Sequence, residues 1–338
     1  MITKKRYSQM SLFAVGLTLI VIVLGAWVRL TDAGLGCPDW PGCYGELTWP
    51  KTEDQVLAAN TRWAERPVET GKAIREMVHR YAAGILGLLV LFLTISAWRA
   101  RRSDPTFPVV LPSAILAWIT FQAALGMWTV TMLLKPAIVL AHLGGGMLTV
   151  ALLFWLYLST RPAQTKPSLP ERGLKWPVRI GLLAIVGQLL LGGWVSTNYA
   201  ALACPDFPTC MGQWWPEGNY EEGFKLWRGV GVDYEGGILD QNARVAIHMA
   251  HRVGAIVVTA IFAWLLWRLW RVASLRTPAV VVGGLLGLQI TLGILNVVLG
   301  LPLHVAVAHN GVAALLVLSM VFLGYRTGRS DHSWGNAG

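Results

Sequence analysis

The chain repeats itself, and that repeat limits the folds open to it more than any other feature. The stretch Gly25–Cys43, GAWVRLTDAGLGCPDWPGC, returns as Gly192–Cys210, GGWVSTNYAALACPDFPTC, with 10 of 19 positions identical. The same offset of 167 residues places Gln122, Gly126, Ala141 and His142 on Gln289, Gly293, Ala308 and His309. His79-Arg80 falls on His251-Arg252 at an offset of 172, so the second half carries a small insertion. Two like halves, each with a matched pair of histidines, point to two similar sites built around imidazole.

Composition says where those sites lie. Hydrophobic residues make up 54% of the 338 and charged ones only 14%, far from the soluble average. Apolar runs long enough to cross a bilayer, roughly 20 residues each, occur at about 10–30, 78–98, 107–130, 137–158, 179–197, 245–267, 278–300 and 303–324. The expected fold is therefore an all-α integral membrane protein with eight transmembrane helices. An even number per half makes the two four-helix repeats parallel, related by a pseudo-two-fold along the membrane normal. The halves divide as 1–161 and 178–338, with the Pro-rich segment 162–177 as linker.

Lysine and arginine set the orientation. Lys4, Lys5 and Arg6, then Arg99, Arg101 and Arg102, then Arg161, Lys166, Arg172, Lys175 and Arg179 flank one side of the apolar runs. Arg268, Arg271, Arg276, Arg326 and Arg329 join them. Both termini are expected in the cytoplasm of a multi-pass plasma-membrane protein, with the long segments 31–77 and 198–244 facing outward. The net charge of +10 is then a topology signal and does not point to nucleic acid. Tryptophans in the two long segments, among them Trp40, Trp49, Trp63, Trp214, Trp215 and Trp227, suit a membrane–water interface.

The four cysteines share this outward side. Cys37 and Cys43 lie in the first long segment, Cys204 and Cys210 in the second, each pair as C-x5-C. An even count on an oxidising face suggests one disulfide per loop, with cross-pairing between loops still open. The spacing is poor for zinc. The bridges brace their loops, or one of them, the first above all, has a redox role.

His79, His142, His251 and His309 all fall near the outward ends of even-numbered transmembrane helices, at similar depth. Polar side chains there are costly unless paired or liganded. Two imidazoles on facing helices of a four-helix unit suit a haem iron held from both sides. Glycines beside them (Gly84, Gly87, Gly144–Gly146, Gly254, Gly311) fit a flat macrocycle or close helix packing. Arg29, Arg75, Arg80, Arg244 and Arg252 near the same surface are candidates for pairing with propionates. His248, His304 and the tail residue His332 lack a histidine counterpart in the repeat.

The halves differ in one place. Where the first has Glu76 three residues before His79, the second has His248 before His251. Glu76 shares a helical face with His79 and sits nearly one turn outward. A carboxylate there can act as base, nucleophile or charge stabiliser. One site reads as reactive, the other as an electron-transfer site.

These residues resemble a family. GAWVRLTDAGLGCPDWPGC, EMVHR at Glu76–Arg80, QAALGMWTV at Gln122–Val130, AHLGGG at Ala141–Gly146, MAHR at Met249–Arg252 and AHNG at Ala308–Gly311 look like those of bacterial haem A synthases over essentially the whole length. The cysteines match members with a pair in each of two outer loops. The resemblance implies oxidation of the C8 methyl of haem O to a formyl group, giving haem A for terminal oxidases, by successive hydroxylation with water-derived oxygen. It makes His79 and His142 the substrate-haem ligands, His251 and His309 the ligands of a haem b, and Glu76 the catalytic carboxylate. It implies a haem O synthase as neighbour and surrounding membrane lipid. The electron acceptor is unnamed and a homo-oligomer is left open. A membrane b-type cytochrome passing electrons to or from quinone is the alternative, but it has no need of the Glu76 asymmetry.

Overall fold

In hydrocarbon every backbone amide must find its partner within its own segment, so apolar runs coil. The computed structural model describes residues 2–161 and 168–328. Its helices are α1 (Lys4–Leu30), α2 (Glu53–Arg62), α3 (Thr70–Arg101), α4 (Val110–Thr131), α5 (Pro136–Thr160), α6 (Leu169–Arg172), α7 (Lys175–Thr197), α8 (Tyr220–Gly223), α9 (Gln241–Trp270), α10 (Arg276–Val298) and α11 (Leu303–Gly328). Eight of them are long and apolar enough to cross a membrane, all but α2, α6 and α8. This is a multi-pass helical membrane protein.

Local chemistry marks the helix starts. Thr3 accepts from the Arg6 amide at α1 and Asp240 from the Ala243 amide at α9. Thr52 and Gln55 form a reciprocal capping box at α2, satisfying donors that a first turn leaves orphaned. Pro112, Pro136, Pro177 and Pro278 each fall within the first three residues of a helix, where the missing N–H costs no bond.

Several helices begin earlier than hydropathy predicts, α1 at Lys4 rather than near 10 and α7 at Lys175 rather than near 179 among them. α3 starts at Thr70 rather than near 78, and α9 at Gln241 rather than near 245. Their polar first turns are invisible to an apolar window, yet they coil because they pack beneath the long loops. Ala73 and Met77 bury against Cys37, Cys43, Tyr44 and Ala59; Ala243 and Ile247 bury against Trp194, Ala200 and Leu239. Glu76 and His79 therefore stand well inside α3. The Pro-rich segment between the halves is also partly helical, in α6 and the start of α7; residues 162–167 lie outside the described ones.

The packed pairs of the first half have counterparts in the second. α1 meets α3 and α5, and α4 meets α3 and α5; likewise α7 meets α9 and α11, and α10 meets α9 and α11. Across the halves α1 touches α11, α5 touches α7, and α5 touches α11. The central helices are thus α1, α5, α7 and α11, with α3, α4 and α9, α10 outside them. Small residues admit close approach: a methyl on Gly181 of α7 would stand 2.9 Å from Met320 Cε of α11.

The loop backbones also repeat at the offset of 167. Left-handed Asp32, Tyr44 and Leu134 recur as Tyr199, Met211 and Leu301, and cis Trp40-Pro41 recurs as cis Phe207-Pro208. Disulfides join Cys37 to Cys43 and Cys204 to Cys210, one in each loop. Beyond this hairpin the loops diverge. The first forms α2; the second runs extended from Phe224 to Asp240 and crosses to the first half. There the Tyr234 amide donates to Leu133 O at 3.1 Å, and its ring buries among Leu35, Val130 and Leu134. Arg66 pairs with Asp233 at 2.6 Å and Glu235 at 2.9 Å, and Lys135 stands over the Trp227 ring.

Candidate active site

Each of the four repeat-matched histidines lies against a glycine on the neighbouring helix. A methyl built on Gly25 of α1 would stand 3.0 Å from His79 Cε1 on α3; on Gly126 of α4, 3.1 Å from His142 Cε1 on α5. In the second half Gly192 of α7 faces His251 of α9 at 3.0 Å, and Gly293 of α10 faces His309 of α11 at 3.2 Å. Any side chain larger than hydrogen would push into the ring. The notch exists because the glycine lacks a Cβ, so the repeat keeps a space as well as an imidazole.

Four residues before each glycine, one helical turn away, stands the residue that meets the ring's polar edge. Gln122 places Nε2 3.1 Å from His142 Nδ1 and donates to the same residue's main-chain oxygen at 2.5 Å. Gln188 does the same to His251, at 3.1 and 2.9 Å. Gln289 reaches His309 Nε2 at 3.1 Å. The fourth residue is Val21: the His79 ring reaches only its main chain, and His79 Nδ1 is buried without a hydrogen-bond partner. The Gln-x3-Gly spacing was visible in the sequence, since Gln122 and Gln289 align, but Gln188 escapes notice because its repeat counterpart is Val21.

Two of the glycines beside the histidines serve close helix packing, the second of the two uses expected of them. Gly145 and Gly254, each three residues after a histidine, take in the glutamines: a methyl there would stand 2.0 Å from Gln122 Oε1 and 2.3 Å from Gln188 Oε1. Gly84 and Gly87 have open space around them.

Glu76 is 4% exposed. Its Oε2 accepts from the Cys37 amide at 2.8 Å and its Oε1 from Arg80 Nη2 at 2.5 Å. The same Arg80 donates through Nη1 to Asp39 O at 2.9 Å and Gly42 O at 2.5 Å. One guanidinium thus ties the carboxylate to the disulfide hairpin. Arg252 repeats half of this, donating to Thr209 O at 2.8 Å and Asp206 O at 2.7 Å. In place of a carboxylate the second half has buried His248, whose Nδ1 lies 2.9 Å from Ala200 O, so this histidine holds loop backbone. His304 is exposed on the first turn of α11, and His332 lies outside the described residues.

The remaining arginines are placed as follows. Arg29 donates to Ser196 O at 2.6 Å across the halves and stands 4.0 Å over the Tyr199 ring. Arg244 and Arg75 each bury Nε without a partner.

His79 lies within electrostatic reach of His142, and His251 of His309. Among the described residues no third His, Cys, Asp or Glu gathers into a metal-binding group with either pair. Two imidazoles, glycine notches and partnerless buried ring nitrogens at His79 and His309 suit a planar metal macrocycle ligated from both faces. Zinc would ask for a third or fourth donor.

A multi-pass membrane protein with imidazoles paired across its helices is the class that fold and site define. A family model for COX15-CtaA, described as cytochrome oxidase assembly protein, matches residues 8–321, and the chain belongs to that family. Among its relatives, the "Heme A synthase" of Shewanella oneidensis is 45% identical over 91% of this chain and 92% of its own length. The "Heme A synthase" of Halalkalibacterium halodurans is 28% identical over 90% of this chain and 91% of its own.

Proposed function

We propose that the chain is a haem A synthase that oxidises the C8 methyl of haem O to a formyl group by successive hydroxylation with water-derived oxygen, for terminal oxidase biogenesis. The observation that carries this reading is the buried carboxylate of Glu76 beside one histidine pair and its absence beside the other, in a chain whose relatives bear that name. In this reading His79 and His142 hold the substrate haem, and His251 and His309 hold a haem b that supplies a one-electron relay. Arg244 and Arg75, each with a partnerless buried Nε, are the arginines freest to meet propionates. Arg29, Arg80 and Arg252 reach them only by giving up main-chain carbonyls, of α7 for Arg29 and of the loops for the other two.

Converting the methyl and one water to a formyl group releases four electrons and four protons. The protein must therefore stabilise electron-poor carbon, accept protons and pass electrons to an acceptor. Glu76 serves the first two. Held at one oxygen by the Cys37 amide and at the other by Arg80, its carboxylate keeps a fixed direction, and fixed charge stabilises a developing cation without reorganisation. Each oxygen retains a lone pair for a proton. The long loops then face outward, both termini lie in the cytoplasm, and the halves are related by a two-fold axis along the membrane normal. A membrane b-type cytochrome would not need Glu76.

The test is expression in cells that make haem O but no haem A, with extracted haems separated by chromatography and identified by mass. Wild type should yield haem A or its hydroxylated precursor, and Glu76→Ala should leave haem O. Haem B alone, with haem O untouched in both, would replace the synthase with the cytochrome.

A further inference from the structure

Gln122 and Gln188 are each built into a two-residue device. The amide meets a histidine ring nitrogen and that histidine's carbonyl, and its oxygen occupies the space of a missing side chain at Gly145 or Gly254. At His79 both parts of the device are absent together. The counterpart of Gln188 is Val21, and the counterpart of Gly254 is Ala82, which carries the methyl that Gly254 lacks. His309 keeps a single amide contact.

A carboxamide carries donor and acceptor on one carbon. Nε2 answers a bare ring nitrogen, as here. Turned over, the amide presents Oε1, buried without a partner at Gln122 and Gln188, to Nδ1–H when the ring's Nε2 ligates a metal. Such outer partners fix ring orientation and raise ligand basicity. The Val21 side chain offers neither group, and only its main chain is within reach of the His79 ring.

We infer that Gln188, Gln122 and Gln289 are positioning residues that lock His251, His142 and His309, and that the Val21–Ala82 pair leaves His79 as the releasable ligand. Resting on the haem A synthase reading, this gives each half its turnover behaviour. The second half, with both ligands supported, keeps its haem. The first has one fixed and one loose ligand, and its haem enters and leaves on the His79 side, next to Glu76.

The experiment is haem loss from the purified full-length protein to excess apomyoglobin, with aliquots extracted over time and haem B counted separately from haems O and A. Wild type should lose haems O and A faster than haem B. Val21→Gln with Ala82→Gly should slow loss of haems O and A at least threefold and shrink their high-spin signal in electron paramagnetic resonance, leaving haem B unchanged. Gln188→Val with Gly254→Ala should speed loss of haem B about tenfold, the low end of what outer partners contribute, leaving the other haems unchanged. Both haem classes present, with either double variant changing both release rates equally or neither, would overturn the inference while the synthase reading stands. Protein holding haem B alone in cells that make haem O would instead defeat the synthase reading.

Discussion

At the scale of single residues, Gly192 decides where the His251 ring can stand. Replacing it with alanine puts a methyl 3.0 Å from Cε1, closer than van der Waals contact allows, and overpacking of this kind costs about 1–3 kcal/mol. Gly192→Ala should therefore lower the content of one haem class in purified protein and spare the other, and Gly25→Ala should do the reverse, both read by pyridine haemochrome and chromatography. The hairpins offer a pH test. Asp206 accepts from the Thr209 hydroxyl and from the amides of Met211 and Gly212, and these bonds, the Thr209 one foremost, hold its carboxyl down to about 2. A carboxyl depressed in the folded state lends its stability above the ordinary aspartate range and loses it as pH falls through the folded value. Protection of the Met211 and Gly212 amides, taken relative to their intrinsic exchange rates, should thus hold down to about pH 4 and fall toward pH 2, whereas in Asp206→Asn it should be weak across the range. The histidines and Glu76 were legible in sequence because the repeat displays them. Gln188 was not, because its repeat counterpart is Val21 and, unlike Glu76, it stands far along the chain from the histidine it meets; the use of Gly254 follows from that glutamine.

At the scale of elements, the segment Phe224–Asp240 is held to the first half by contacts of different worth, two of which can be set against each other. Arg66 with Asp233 and Glu235 is a partly exposed ionic contact; exposed pairs contribute about 0–1 kcal/mol. Tyr234 is 2% exposed, and removing a buried aromatic ring costs roughly 3–5 kcal/mol. Tyr234→Ala should open 225–239 to limited proteolysis, while Arg66→Ala should leave the cleavage rate near that of wild type. Hydropathy located the membrane helices but missed the first turns of α3 and α9. Those turns are polar on one side and coil through contact with the loops, which a window along the chain does not contain. The crossing of the second loop was equally hidden: the insertion was countable, its direction was not.

For the whole molecule, the eight helices were readable because bilayer thickness and backbone satisfaction leave a chain of this composition few alternatives. Which helices lie at the centre was not readable. Hydropathy does not sort α1, α5, α7 and α11 from the outer four, because the two sets overlap; their place follows from which helices pack together. The joining contacts are lateral, through α1 with α11 and α5 with α7, and none requires a continuous chain between the halves. Residues 1–161 and 168–338 expressed together as separate chains should therefore assemble and co-purify, while 1–161 alone should not accumulate.

The segment carrying Tyr234 gives this assembly a direction. In a dimer of two identical half-length chains, each would reach over the other and both would be covered alike. Here only the second half reaches over, so the loop ends of the two halves are clothed unequally. On the reading proposed above, this one-sided embrace lets a duplicated chain keep one half for traffic and the other for a permanent guest.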